Sequence, residues 1–218
     1  MHGCQAMIRT VAITAAFALA TFALLIGAAG SAVADIPVGS GPTNYTEQAQ
    51  PPPGTCHYRT AANGETLPDP TCTPGAINPK VTEATLADTI CKTGYTKSIR
   101  PPRDITAAEK RANAASYGYT GPFSDTEYDH LIPLELGGDP NDARNLWVEP
   151  GASPNPKDGI EHKLHQRVCA GTVSLAAAQQ AIASDWTTRQ RLDHRAQRCL
   201  KLAMYSLDAR ELPPTVTG

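Results

Sequence analysis

Apolar positions in the middle of this chain fall into short, sharply bounded runs, and on either side they spread to helical spacings. The run His130 to Leu136 follows Asp129 and stops at Gly137 and Gly138, which predicts a strand entering a turn. A second run, Asn145 to Val148, precedes Pro150, Pro154 and Pro156, and these prolines exclude helix until Lys157. From there Ile160, Leu164 and Val168 recur at fours, the pattern of a helix with one buried stripe. The stretch from Tyr128 to Cys169 therefore reads strand, loop, strand, helix.

The flanks are helical in pattern. Thr106 to Tyr117 predicts a helix, with Thr106 and Glu109 in capping-box spacing, and residues 81–90 are helix-like. After Gly171, Leu175, Ala178, Ile182 and Trp186 form a stripe suited to packing on the preceding helix, and a further helix is expected from about Thr188 to Leu207. The expected fold class is α+β: a mostly helical domain around a small antiparallel strand pair and its helix. Residues 35–55, rich in Pro, Gly, Gln, Ser and Thr with three prolines at 51–53, hold too few apolar side chains to offset chain entropy. They read as a disordered linker.

The first 34 residues hold one charge, Arg9, then an apolar run from about Val11 to Ala29 and an Ala-x-Ala end at Ala32 to Ala34. This is the pattern of a secretory signal peptide with cleavage expected after Ala34, which predicts a secreted or cell-envelope protein with no membrane segment afterwards. Cys4 would leave with it. The mature cysteines would then be Cys56, Cys72, Cys91, Cys169 and Cys199, a usage that in an exported protein suggests disulfides. Cys56 and Cys72 flank a turn-rich stretch and are expected to close a local loop. Pairing Cys91 with Cys169 would tie the N-terminal half to the central helix and leave Cys199 odd, although spacing alone also admits exchange with a neighbouring cysteine.

Charge narrows the choice of partners. The chain has 19 basic and 21 acidic side chains, a net charge of −2, and loss of Arg9 would make it −3. Binding to a polyanion would have to rest on a local basic surface. Two segments offer one: Lys92 to Arg111 holds six basic and two acidic residues, and Arg189 to Lys201 holds five and one.

The segments DHLIPLELGG, NLW, KDGIEHKLHQRVC and the later LAAAQQAIASDW resemble a group of secreted bacterial proteins of the HNH, or ββα-metal, endonuclease kind. The motif core, residues 128–169, spans about a fifth of the chain, within an expected domain over residues 56–186 and followed by a C-terminal helix and tail at 187–218. The resemblance implies that Asp129 binds a divalent metal, that His130 activates water as general base, and that Asn145 steadies the loop holding the histidine. The resemblance also asks the helix for one or two ligands, and Lys157, Asp158, Glu161, His162 and His165 are on offer there. Glu161 and His165, four apart on one face, are the expected ligands, with Asp158 as substitute. With Asp129 they would make a mixed oxygen and nitrogen set suited to Mg, Mn, Ni or Zn.

The chemistry gives these residue types a reason. Cleaving a phosphodiester near neutral pH calls for an activated water and a cation to hold developing charge. Histidine is the side chain whose proton equilibrium lies near neutrality. The expected function is an exported, metal-dependent nuclease acting on DNA or RNA. The alternative is a non-catalytic envelope or host-interaction protein that keeps the motif as a disulfide-stabilised scaffold.

Overall fold

The computed structural model describes residues 35–151 and 153–188. The expected signal peptide, the expected helix at 188–207, the second basic segment and Cys199 lie at or beyond the edges of that range. The elements in chain order are β1 (Arg59–Thr60), β2 (Thr66–Leu67), α1 (Tyr95–Ser98), α2 (Arg103–Ser116), β3 (Thr126–His130), β4 (Leu146–Pro150), α3 (Pro156–Cys169) and α4, residues 175–188. The class is α+β. None of the described helices is long and apolar enough to cross a membrane.

Strands β3 and β4 pair antiparallel, from Thr126 opposite Pro150 to His130 opposite Leu146, and α3 follows. The strand thus ends at His130, where the apolar pattern had it beginning. Pro133 has no N–H to pair, and Leu134–Leu136 wind into a 3-10 turn closed by Gly137 at φ 73°. Gly138 is required by contact: a Cβ there would lie 1.7 Å from the Ile132 carbonyl oxygen. The run Leu131 to Leu136 is apolar because it feeds the core from a loop, a pattern that mimics a buried strand.

Helix α3 starts where the prolines predict. Asn155 caps it, accepting from the backbone N–H of Lys157 and of Asp158, and the Asp158 carboxylate reaches back to the Asn155 N–H at 2.9 Å. Its buried stripe is Lys157, Ile160, Leu164 and Val168. The last three join Ile132, Leu136, Leu175, Ala178, Ile182 and Trp186 in the main core, so α4 packs on α3 as its stripe implied. A second cluster gathers Cys56, Tyr117, Leu131 and Trp147.

Two local expectations are corrected. Helix α2 begins at Arg103, immediately after Pro101 and Pro102, and no Thr106–Glu109 box forms. Glu109 is instead fully buried and accepts the Gln48 N–H at 2.8 Å. Residues 81–90 hold a 3-10 helix, Glu83–Asp88, rather than an α-helix.

The larger correction concerns residues 35–55, which are an ordered strap rather than a disordered linker. Gly39 bonds Ile77, Gly41 donates to the Asp139 carboxylate, Tyr45 donates to the Ile99 carbonyl, Asn113 donates to Gln50, and Ser116 bonds the Pro51 carbonyl. The strap is held by polar backbone and side-chain bonds and by prolines that lower the entropy cost of ordering it, so apolar content underestimates its order.

Both local and long-range disulfides form: Cys56 with Cys72 and Cys91 with Cys169, at Cα separations of 5.9 and 5.6 Å. By chain entropy the first constrains the unfolded state by about 3 kcal/mol and the second, closing a far longer loop, by about 4–5 kcal/mol. Such bonds suit an oxidising compartment.

Candidate functional site

The alternation of a regular strand sends Asp129 and His130 to opposite faces of β3. Asp129, buried, faces its cross-strand partner Trp147 and accepts the indole N–H at 3.1 Å. The same oxygen, Oδ2, accepts from the Lys157 ammonium at 2.8 Å. Lys157 is completely buried, and its other two hydrogens go to the His130 carbonyl at 2.9 Å and to the Glu161 carboxylate. An ammonium has three donors. All three are used.

Asp129 and Glu161 therefore converge on one centre, and that centre is the nitrogen of Lys157. Glu149 lies in the same electrostatic neighbourhood, with one oxygen accepting from Asn155 Nδ2 at 3.2 Å. Burial pushes its carboxyl up to about 9, and the Asp129 charge pushes the same way. Burial likewise raises Glu161 to about 7 against the pull of Lys157. Burial alone would lower the Lys157 ammonium, but Asp129, Glu161 and Glu149 together hold it above its ordinary value. The cluster therefore favours a neutral Glu149 beside a charged Lys157.

On the opposite face, His130 Nε2 lies 3.0 Å from the Pro140 carbonyl oxygen. A carbonyl only accepts, so Nε2 carries the proton and Nδ1 keeps its lone pair. Burial pulls the imidazole down to about 4, so it is neutral over the physiological range. His130 lines a cleft of about 390 Å³ with Arg100, Arg103, Thr106 and Tyr128. Arg100 also lines a neighbouring cleft of about 240 Å³ with Glu135, Asp158 and Glu161.

Asn145 explains why His130 is held. Fully buried, it accepts from the N–H of Ile132 and of Ala76 and donates to the carbonyls of Ile132 and Asp139. Four bonds from one amide pin the ends of the loop that carries Pro140, the acceptor for the histidine.

His165 is placed elsewhere. Its Nε2 donates to the Ile90 carbonyl at 2.9 Å, and its Nδ1 faces Glu135, apart from Asp129 and Glu161. Asp158, the substitute ligand, is occupied in capping α3. The set Asp129, Glu161 and His165 thus does not surround a common space for an ion: two members share a lysine and the third is elsewhere. Among the described residues, two other groups bring ligand atoms within 4.8 Å of one another: Glu135, His162 and His165, and Cys91, His165 and Cys169. In the second, both cysteines are in the disulfide.

From sequence, Glu149 and Trp147 have no role at this site, and Lys157 stands only among the polar residues that the helix offers. The available signal was the position of Lys157 on the buried stripe, three before Ile160 and four before Glu161; a lysine on an apolar face needs a buried partner. Scans against family models and searches of curated proteins and of solved structures find no match to this chain.

Proposed function

We propose that this protein hydrolyses nucleic-acid phosphodiesters, with His130 as the general base. The supporting observation is the fixed state of the histidine. Nε2–H is committed to Pro140, the acceptor loop is clamped by Asn145, and burial keeps Nδ1 unprotonated at the mouth of a cleft carrying Arg100 and Arg103. A phosphate bound by the two guanidiniums would place its phosphorus beside a water hydrogen-bonded to Nδ1. As the water oxygen attacks phosphorus its proton passes to Nδ1, the ester P–O bond breaks, and the leaving oxygen is protonated from solvent. The imidazolium then returns its proton to solvent. General-base assistance of this kind contributes roughly 10²–10⁴-fold. The arginines oppose charge on the phosphate, and because the expected ligand set does not assemble, no step is assigned to a metal at Asp129.

The second reading is the disulfide-stabilised scaffold without catalysis. It is favoured by the Asp129–Lys157–Glu161 cluster, whose buried ammonium spends all three hydrogens within the protein. Plasmid nicking and RNA cleavage by the oxidised chain, with and without EDTA, separate the two. Cleavage lost in His130→Ala supports the hydrolase; a wild-type chain inert on every substrate in both conditions supports the scaffold.

A further inference from the structure

The His165 imidazole is oriented as a ligand without a recipient. Its Nε2–H is held by the Ile90 carbonyl at 2.9 Å, which fixes the tautomer and leaves a lone pair on Nδ1. That Nδ1 is inaccessible to solvent and has no hydrogen-bond partner among the described residues. The atom it faces is another acceptor, Glu135 Oε2, at 3.7 Å, too far for a hydrogen bond even to a protonated ring. His162 Nδ1 stands 3.8 Å from the same carboxylate oxygen, and its Nε2 accepts from the Gln166 amide at 3.0 Å, so in the neutral ring Nδ1 carries the proton. A lone pair on His165 Nδ1 and a carboxylate oxygen thus face each other with no hydrogen between them, and the exposed His162 ring can join them by releasing its Nδ1 proton; the three donor atoms lie within 4.8 Å of one another.

We propose that Glu135, His162 and His165 bind a divalent transition-metal ion of the zinc class. Ligand bonds of about 2.0–2.1 Å in a tetrahedral shell put neighbouring donor atoms about 3.4 Å apart. The two edges at Glu135 are within a few tenths of an ångström of that spacing, and the exposed His162 ring is free to turn and close the third. Two imidazoles and one carboxylate favour zinc, or its chemical neighbours cobalt and nickel, over magnesium and calcium, which prefer all-oxygen shells. Three protein ligands leave a fourth position for water or a substrate oxygen.

The second shell is built into the fold. Histidine ligands characteristically donate their other ring N–H to a carbonyl or carboxylate, and His165 does so to Ile90. Ile90 precedes Cys91 and His165 lies one helical turn before Cys169, so the disulfide fastens carbonyl and imidazole to each other. Glu135 is supplied by the 3-10 turn Leu134–Leu136, whose two leucines are anchored in the interior. The site is distinct from the Asp129–Lys157–Glu161 cluster and does not depend on the hydrolase reading.

The test is titration of the metal-stripped, oxidised full chain with Zn²⁺ by calorimetry, and with Co²⁺ followed by its visible spectrum. The expected result is one ion per chain with a tetrahedral cobalt spectrum lacking a thiolate charge-transfer band. Glu135→Gln and His162→Ala, at partly or fully exposed side chains outside the core, should each lower affinity by more than the roughly 10–100-fold that loss of an outer-shell partner costs. His165→Ala should abolish binding, and His57→Ala should leave it unchanged, with far-ultraviolet circular dichroism reporting the fold of each. Absence of binding by the oxidised wild type, binding that survives both Glu135→Gln and His162→Ala, or binding that requires reduced cysteines and shows a thiolate band overturns the assignment.

Discussion

His130 is held neutral by burial, so its titration defines the acid limb of any activity that uses it as base. Cleavage should rise with pH through about 4 and be flat from there to neutrality, where a solvent-exposed histidine would give a limb near 6.5. A pH–kcat/KM profile of the wild type checks this, and a limb near 6.5 would reassign the base. Lys157 carries a different consequence. Replacing it with Met leaves the Asp129 and Glu161 carboxylates buried without their cation, and breaking a buried pair from one side typically costs about 3–5 kcal/mol. Urea unfolding of Lys157→Met should show a loss of that order. A loss below about 1 kcal/mol would mean that the carboxylates shed their charge or reach water at little cost.

Among the elements, α3 depends on its cap and on its covalent tie. Asn155→Ala removes the acceptor for two backbone N–H groups and should cost about 1 kcal/mol in the same measurement. Non-reducing peptide mapping should recover Cys56 with Cys72 and Cys91 with Cys169. The paired change Cys91→Ser, Cys169→Ser should destabilise by about 2–5 kcal/mol. The strap at residues 35–55 behaves as part of the fold. Deleting residues 35–50 removes the N–H that serves the buried Glu109 carboxylate and the partner of Asn113, so the truncated chain should unfold at distinctly lower urea than one beginning at residue 35. Equal midpoints would return the strap to the status of a linker.

Over the whole molecule, buried acids dominate the response to alkali. Burial raises Glu109 and Glu161 to about 7 and Glu149 to about 9. A folded-state value above the unfolded one means the fold binds more protons, so this stability is complete below the ordinary glutamate range. It drains away as pH rises through about 7 and then 9. His130 acts in the opposite direction: with its folded value depressed, its contribution is complete above 6.5 and is lost as pH falls towards 4. Between about 4.5 and 6.5 three raised carboxyls outweigh one depressed imidazole, so stability should peak in acidic solution near the ordinary glutamate range and fall as pH rises from there. Urea midpoints at pH 5, 7 and 9 measure the fall, and Glu149→Gln should flatten it between pH 7 and 9, above the range in which Glu109 and Glu161 titrate.

Much of this was legible in sequence because it is local. The prolines at 150, 154 and 156 set the start of α3, the spacing of Ile160, Leu164 and Val168 set its buried face, and Leu175, Ala178, Ile182 and Trp186 set the face of α4. The α+β class and the order strand, loop, strand, helix follow from the same patterns. What sequence could not settle depends on which side chain reaches a shared point across elements. Asp129 and Glu161 meet, but alternation along β3 and the burial of one helical turn bring Lys157 to their meeting point. His165 shares a helical face with Glu161 by spacing, yet a carbonyl beside the disulfide turns its ring to Glu135. The strap has little apolar content, and its order comes from partners nearly a hundred residues away, as between Gly41 and Asp139. Spacing along one element fixes which residues share a face; only tertiary packing decides which polar groups lose water together, and a buried charge must then take the partner that packing supplies.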